Sequence, residues 1–241
     1  NWDLPTLAAT VFVALVQVWP KERDEPVKLD TLTIDIGASS KAEAEKYVSP
    51  GDCAYFRSDY TELGNGYLRE KALDDRIGCA IMVDILNKNL PYDVTCVFTV
   101  QEEIGTRGAK VAAYTVKPDY AIVLETTTAC DFSGNDGEKR VCELGKGCVV
   151  SYMDRSTIYD RELYRLGFEK AKEINVPCQT KTLVAGGNDS GAIHSSVGGI
   201  RTVALSVPCR YLHSPSCMIK KSDVQSTAEL AYAMYLALAE K

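Results

Sequence analysis

The rhythm of the chain from residue 70 onward constrains its fold most. Short apolar runs at Val94–Val100, Tyr120–Leu124, Cys148–Tyr152, Thr180–Val184 and Arg201–Val207 read as strands. Between and around them, Asp75–Leu86, Thr106–Tyr114, Asp160–Ile174, Asp189–Ser195 and Ser222–Glu240 read as helices. Asp75–Leu86 places apolar side chains at 77, 80, 81, 83, 85 and 86, a wide buried face. Asn175 and Pro177 stop the third helix, and Ser222 or Asp223 is placed to cap the last. Apolar strands alternating with helices must be covered on both faces, which gives an α/β sandwich.

The first 66 residues read differently, as strands and turns. Thr10–Trp19 and the alternating Thr31–Ile36 are strand candidates, separated by a charged loop at Pro20–Pro26. Ser39 or Ser40 can cap a short helix over Lys41–Tyr47, which Pro50-Gly51 stops. Gly64-Asn65-Gly66 is a turn and a domain seam, dividing the chain into 1–66 and 67–241. A chain of 241 residues can bury a core without staples. Its formal charge of −6 argues against binding a phosphate backbone and favours small-molecule or peptide partners. The apolar run Leu7–Trp19 is too short to span a bilayer, and no charged region precedes it as in a signal peptide. The nine cysteines contain no Cys-x-x-Cys pair, the pattern of small apolar thiols in a reducing cytoplasm.

Three of the strands run into potential metal ligands. Val94–Val100 leads to Gln101-Glu102-Glu103, Tyr120–Leu124 to Glu125, and Arg201–Val207 through Pro208–Leu212 to His213. Asp74-Asp75 opens the first helix of this region. Strand carboxyl ends are where open α/β sheets place their ligand crevices. Three carboxylates and an imidazole suit zinc, cobalt or manganese, whereas an all-oxygen set suits magnesium or calcium. Adjacent glutamates on an extended backbone diverge, so one can bind metal while its neighbour serves as a base. Each residue also has an ordinary reading. Glu102-Glu103 can be a solvated pair, Asp74-Asp75 can be charges at a helix N-terminus, and Glu125 and His213 can be plain loop residues. His194 reads as a packed or hydrogen-bonded histidine.

The words around these residues are more specific. Lys71–Gly78 (KALDDRIG) resembles the bridging-ligand motif of the M42 family of metallo-aminopeptidases. Thr99–Ala109 (TVQEEIGTRGA) resembles that family's catalytic-glutamate segment, and Ser206–Ser214 (SVPCRYLHS) its final histidine segment. Gly186–His194 (GGNDSGAIH) is similar to its glycine-rich loop, and Thr33–Ala38 also reads as this family. The resemblance runs from about Lys28 onward. It implies a zinc-peptidase-like three-layer α/β/α sandwich with a smaller β-rich apical domain, of which residues 1–66 would be the remainder and 67–241 the catalytic domain. It implies a cytoplasmic aminopeptidase acting on short peptides through two divalent ions (zinc, cobalt or manganese), assembled from dimers into a dodecamer. Asp74 would bridge the ions, Glu103 and His213 would complete one site, and Glu125 would bind the second, where many relatives carry Asp. Glu102 would be the general base, and Asp75 would orient a ligand from behind. Gly186, Gly187, Asn188 and Asp189 would line the substrate pocket.

One departure matters. Family members carry a first metal-binding histidine in an Ala-His-x-Asp-Glu segment, and this chain has only His194 and His213. The resemblance therefore implies a chain short of its front by roughly a hundred residues. Its second ion would be held by Asp74 and Glu125 alone, and weakly. The competing expectation is a catalytically impaired or purely structural member of the same fold. Glycoside hydrolysis by paired carboxylates is a poorer account, since it leaves Asp74 and His213 without a role.

Overall fold

The computed structural model describes residues 34–241. The strand expected at Thr10–Trp19 lies outside them, as does the start of Thr31–Ile36, whose described part, Ile34–Ile36, is not a strand. The chain divides into two units, Asn1–Ser58 and Asp59–Lys241. In the first, α1 (Lys41–Ala44) is capped by Ser40, whose Oγ accepts from Glu43 N at 3.2 Å. The Glu43 carboxylate reaches back to Ser39 N and Ser39 Oγ, at 2.9 and 2.7 Å, a reciprocal arrangement that satisfies donors at the helix start.

The second unit begins with a hairpin. β1 (Thr61–Leu63) and β2 (Tyr67–Glu70) pair antiparallel around the Gly64–Gly66 turn, and β7 (Cys217–Lys220) adds to β2, also antiparallel. The larger sheet has the order β3 (Tyr120–Thr128), β6 (Arg201–Cys209), β4 (Cys148–Val150), β5 (Cys178–Thr180). β3 and β6 run parallel, as do β4 and β5, while β4 and β6 are antiparallel. The helices are α2 (Leu73–Leu86), α3 (Arg107–Val116), α4 (Arg161–Glu173), α5 (Ser190–Ile193) and α6 (Lys221–Ala239).

Alternation along β6 shows how the layers form. Val203, Leu205, Val207 and Cys209 pack with Ile81 and Ile85 of α2, Leu163 of α4, and Leu230 and Met234 of α6. Ala204 faces the other way, with Val123, Tyr159 and Ile193 of α5. A period of two on a strand buried on both sides yields the α/β/α sandwich. Where α4 starts, Asp160 accepts from Glu162 N and Leu163 N, as an N-cap should.

Further sequence expectations differ from the structure. Val94–Val100 forms no ladder among the described residues, and Val94, Phe98 and Val100 are exposed. β-branched residues favour strands only where a neighbouring edge takes up their backbone groups. β3 runs on to Thr128, so Glu125 lies within the strand, opposite Ser206 of β6, and not after it. The expected Thr180–Val184 strand sits earlier, at Cys178–Thr180. The chain leaves the β4 ladder because Thr182 N donates to Val141 O at 2.9 Å. Neither Ser222 nor Asp223 caps α6. The buried Asp223 carboxylate instead accepts from Gly145 N at 2.7 Å and Gly147 N at 2.9 Å, pinning the loop into β4. Gly147 has φ +84°, and a Cβ there would overlap the Pro177 carbonyl oxygen. All nine cysteines are free thiols.

Candidate active site

Asp74 and His213 are brought together by the small sheet. Glu70 of β2 pairs with Cys217 of β7. Asp74 stands four residues after one end of that rung and His213 four residues before the other. The loop carrying His213 is closed by the Arg210–Met218 bridge, with N–H···O distances of 2.9 and 3.0 Å. Cys217 Sγ donates within it to Tyr211 O and Ser214 O, at 3.6 and 3.5 Å. At its base Arg210 forms a two-pronged pair with Asp131, at 2.6 and 2.9 Å. Asp74 and Asp75 precede the regular part of α2, with (φ, ψ) of (−87°, 110°) and (−116°, 48°). Asp75 Oδ1 accepts from Gly78 N at 3.0 Å, and a side chain on Gly78 would run into that carboxylate.

His213 Nε2 lies 3.1 Å from Asp74 Oδ2 and 3.2 Å from Glu103 Oε2. Two donors held tetrahedrally at about 2.0–2.1 Å from zinc stand about 3.3 Å apart, so this trio matches the spacing of a cation's ligands. Asp74 also belongs to a second group with Asp75 and Glu125, whose oxygens lie within 4.8 Å of one another. One carboxylate is thus common to both groups. The donor types, carboxylate with imidazole in one group and carboxylates in the other, fit divalent first-row ions. Glu102 stands in neither group. It lines the same cavity of about 1300 Å³ as Asp74, Glu103, Glu125 and His213.

Backbone conformation is unusual here. Ala72, Gln101, Thr106, Tyr211 and His213 all have φ between 51° and 61°. Each such residue costs of the order of 1–3 kcal/mol and needs surrounding structure to hold it, a pattern concentrated at functional sites.

The carboxyls resist ionisation. Burial pushes Glu125 up to about 10, with Asp75 and Glu102 adding repulsion. Burial pushes Asp75 up to about 8, against the hydrogen bond from Gly78 and with Asp74 repelling. Glu102 rises to about 7, through burial and then Asp189 and Glu103. Glu103 is raised by burial and by Asp74, and His213 opposes this. A folded-state pKa above the unfolded value gives stability that is complete below the unfolded value and lost as pH rises through the folded one. The metal-free protein should therefore lose stability between pH 5 and pH 9, because the unfolded chain gives up these protons while Asp75, up to about 8, and Glu125, up to about 10, hold theirs through most of that window. Starting at pH 5 keeps Asp160, lowered by Arg201, ionised throughout. Thermal melts in chelator should show a falling midpoint over this window, and added zinc should raise the midpoint most at its upper end. A flat or rising midpoint in chelator would contradict the arrangement.

Of the loop residues, Gly186, Gly187 and Asn188 line the cavity. Asp189 is not among the lining residues: its Oδ2 accepts from Thr99 Oγ1 at 2.5 Å, and its Oδ1 is buried without a partner among the described residues. Asn188 Oδ1 accepts from Ser190 N at 2.8 Å. Ser156 packs where a side chain on Gly187 or Gly191 would fall, so the loop's glycines permit a close approach. His194 Nδ1 is 2.8 Å from Ser190 O, a local hydrogen bond and no part of the carboxylate cluster. Sequence reading did not find Thr126, Ser156 or Lys181, which also line the cavity. The strand it expected at Thr180–Val184 hid Lys181.

The family described as M42 glutamyl aminopeptidase matches residues 11–230. The chain belongs to this family. It is 33% identical over 218 residues to the lysyl aminopeptidase of Pyrococcus furiosus, covering 89% of this chain and 62% of that protein. The aminopeptidase APDkam598 of Desulfurococcus kamchatkensis superposes with a TM-score of 0.86 at 32% identity, covering 90% of this chain and 62% of that one. The TET1 peptidase of Pyrococcus horikoshii, which can assemble into a tetrahedron or a large octahedral shell, gives 0.76 at 33% identity, covering 90% and 64%. The chain spans 60–65% of the length of the first curated relatives it matches. No helix among the described residues is long and apolar enough to cross a membrane.

Proposed function

We propose that the chain forms the catalytic part of a metal-dependent aminopeptidase that removes N-terminal residues from short peptides. The observation that carries this reading is the meeting of His213 Nε2 with Asp74 and Glu103, while Asp74 also meets Asp75 and Glu125. Asp74, Glu103 and His213 would hold one divalent ion, and Asp74 and Glu125 a second, the ions being zinc, cobalt or manganese. When bound, the pair supplies Lewis acidity toward the scissile carbonyl and lowers the pKa of the attacking water. Glu102 would act as the general base, accepting a proton from the attacking water and returning it to the leaving amine nitrogen, a role suited to a carboxyl with a pKa of about 7. Asp75, anchored by Gly78 N, keeps the start of α2 oriented. Gly186, Gly187 and Asn188 form the wall along which the peptide lies, with Asp189 fixing the loop from behind through Thr99.

In this reading residues 67–241 are the catalytic domain and 1–66 the remainder of a smaller β-rich domain. The protein acts in the cytoplasm as a homo-oligomer of dimers assembled into a dodecamer. The test is release of the N-terminal residue from short peptides by the metal-loaded protein, lost in chelator and restored by zinc, cobalt or manganese, with about two ions bound per chain. Absence of turnover with each of the three metals at full occupancy would refute it.

A further inference from the structure

The cavity has a closed end and an open end. Glu125 is 6% exposed and the Asp74 side chain 13%, whereas the Glu103 and His213 side chains are 57% and 61% exposed. Beside the open end stand two exposed aromatic side chains that neither metal binding nor proton transfer uses. Phe132 and Tyr211 both line the cavity, and Tyr211 precedes His213 by two residues. Their rings stack, with centroids 6.1 Å apart and planes inclined by 22°. The pair is built into place. Each aromatic residue follows one member of the Asp131–Arg210 pair, whose contacts of 2.6 and 2.9 Å tie the two segments together. Tyr211 holds a φ of 58°, and its carbonyl oxygen accepts from Ser214 N at 3.2 Å and from Cys217 Sγ at 3.6 Å. The charges that hold the wall cancel: Asp131 accepts from Arg210 and from Leu144 N, so neither sign is left over. Apolar surface left in water at the mouth of a polar cavity is unfavourable unless a ligand covers it.

From this pair we infer that Phe132 and Tyr211 receive the side chain of the peptide's second residue, the one just beyond the scissile bond, and select a large apolar one, aromatic before aliphatic. The inference rests on the aminopeptidase reading and adds the leaving residue to it. An enzyme that takes one residue from a free N-terminus needs room for only that residue on the closed side. The rest of the peptide must leave through the open side, so the second residue passes His213 and, in the same loop, Tyr211. A phenylalanine there buries its own ring and both wall rings in offset or edge-on contact. Glycine leaves that area wet. An aspartate sets its charge against the negative ring faces and finds no free counter-charge in the wall, since Arg210 is taken up by Asp131. A lysine gains a cation–π contact but keeps its ammonium hydrated, and so covers less of the rings. Because the Asp131–Arg210 pair fixes the rings beforehand, little of the contact energy is lost in ordering them.

The experiment measures kcat/KM on the zinc-, cobalt- or manganese-loaded protein for dipeptides that share one N-terminal residue, the one released fastest from p-nitroanilides, and carry phenylalanine, glycine, aspartate or lysine second. Calorimetric titrations with L-phenylalanine and with glycine, as leaving residues, run beside it. Phenylalanine should be favoured over glycine by about 10–100-fold, and neither charged residue should match it. Tyr211→Ala and Phe132→Ala should each lower that ratio by about 3–10-fold, whereas Tyr211→Phe, which keeps the stack, should hold it. The ratio compares two substrates on one protein, so a general loss of metal cancels from it. Phe132→Ala, outside the His213 loop, tests the same wall should Tyr211→Ala fail to fold. Equal use of phenylalanine and glycine, faster use of aspartate or lysine than of phenylalanine, or an undiminished preference in Tyr211→Ala or in Phe132→Ala overturns the inference. Selective phenylalanine binding that both alanine variants weaken, without cleavage of any dipeptide by the parent protein, would instead overturn the aminopeptidase reading and leave the aromatic subsite standing.

Discussion

Glu102→Gln should bind its full complement of metal and hydrolyse peptides about 10²–10⁴-fold more slowly than the parent protein. The argument is positional. Glu102 lines the cavity with the clustered carboxylates but belongs to neither group of converging ligand atoms. Glutamine keeps the shape and the hydrogen-bonding reach of glutamate and loses only the capacity to accept and return a proton. Its backbone setting should survive, because Gln101 and Thr106, not Glu102, carry the left-handed φ angles of this segment. The paired measurement is kcat with metal content per chain, on Glu102→Gln beside Glu103→Gln. Glu103 meets His213 at 3.2 Å, so its variant should release metal. If Glu102→Gln sheds metal as readily, the roles of the two neighbours are reversed.

Asp74→Ala is expected to abolish activity and to empty both ion positions, while His213→Ala empties one. Asp74 is the only residue found in both groups of potential ligands among the described residues. His213 contributes to one of them, through Nε2. Losing a partner that merely supports a ligand typically costs about 10–100-fold in metal affinity, and losing a ligand itself should cost more. Equilibrium dialysis against zinc would resolve the two variants: no tight ion for Asp74→Ala, and roughly one for His213→Ala. An Asp74→Ala protein that retains two ions at parental affinity would remove Asp74 from the centre.

Much of this was legible in the chain, for identifiable reasons. The helices over Leu73–Leu86 and Arg161–Glu173 are readable because apolar spacing and, for the second, the Asp160 cap are local signals. Asp74, Glu103, Glu125 and His213 were singled out by residue type and neighbouring words, and they line one cavity, Glu125 from within β3 and the others from beside the ends of elements. Val94–Val100 was misread because a strand depends on a neighbour the sequence cannot name. Thr180–Val184 was misread because one backbone hydrogen bond, Thr182 N to Val141 O, diverts the chain. Asp223 looked like a cap and serves a loop remote in sequence, at Gly145 and Gly147.

The β2–β7 ladder does more than close a small sheet. Because Asp74 and His213 hang at equal chain lengths from the Glu70–Cys217 rung, the pairing of these two strands would work as a caliper for a cation in the proposed centre. A slip of two residues would part its jaws by about 6–7 Å, well beyond the span of any single ion. Conversely, an ion gripped by both side chains locks the strands against sliding. In the proposed centre, whatever touches the small sheet would thereby have a mechanical hold on the metal without approaching it.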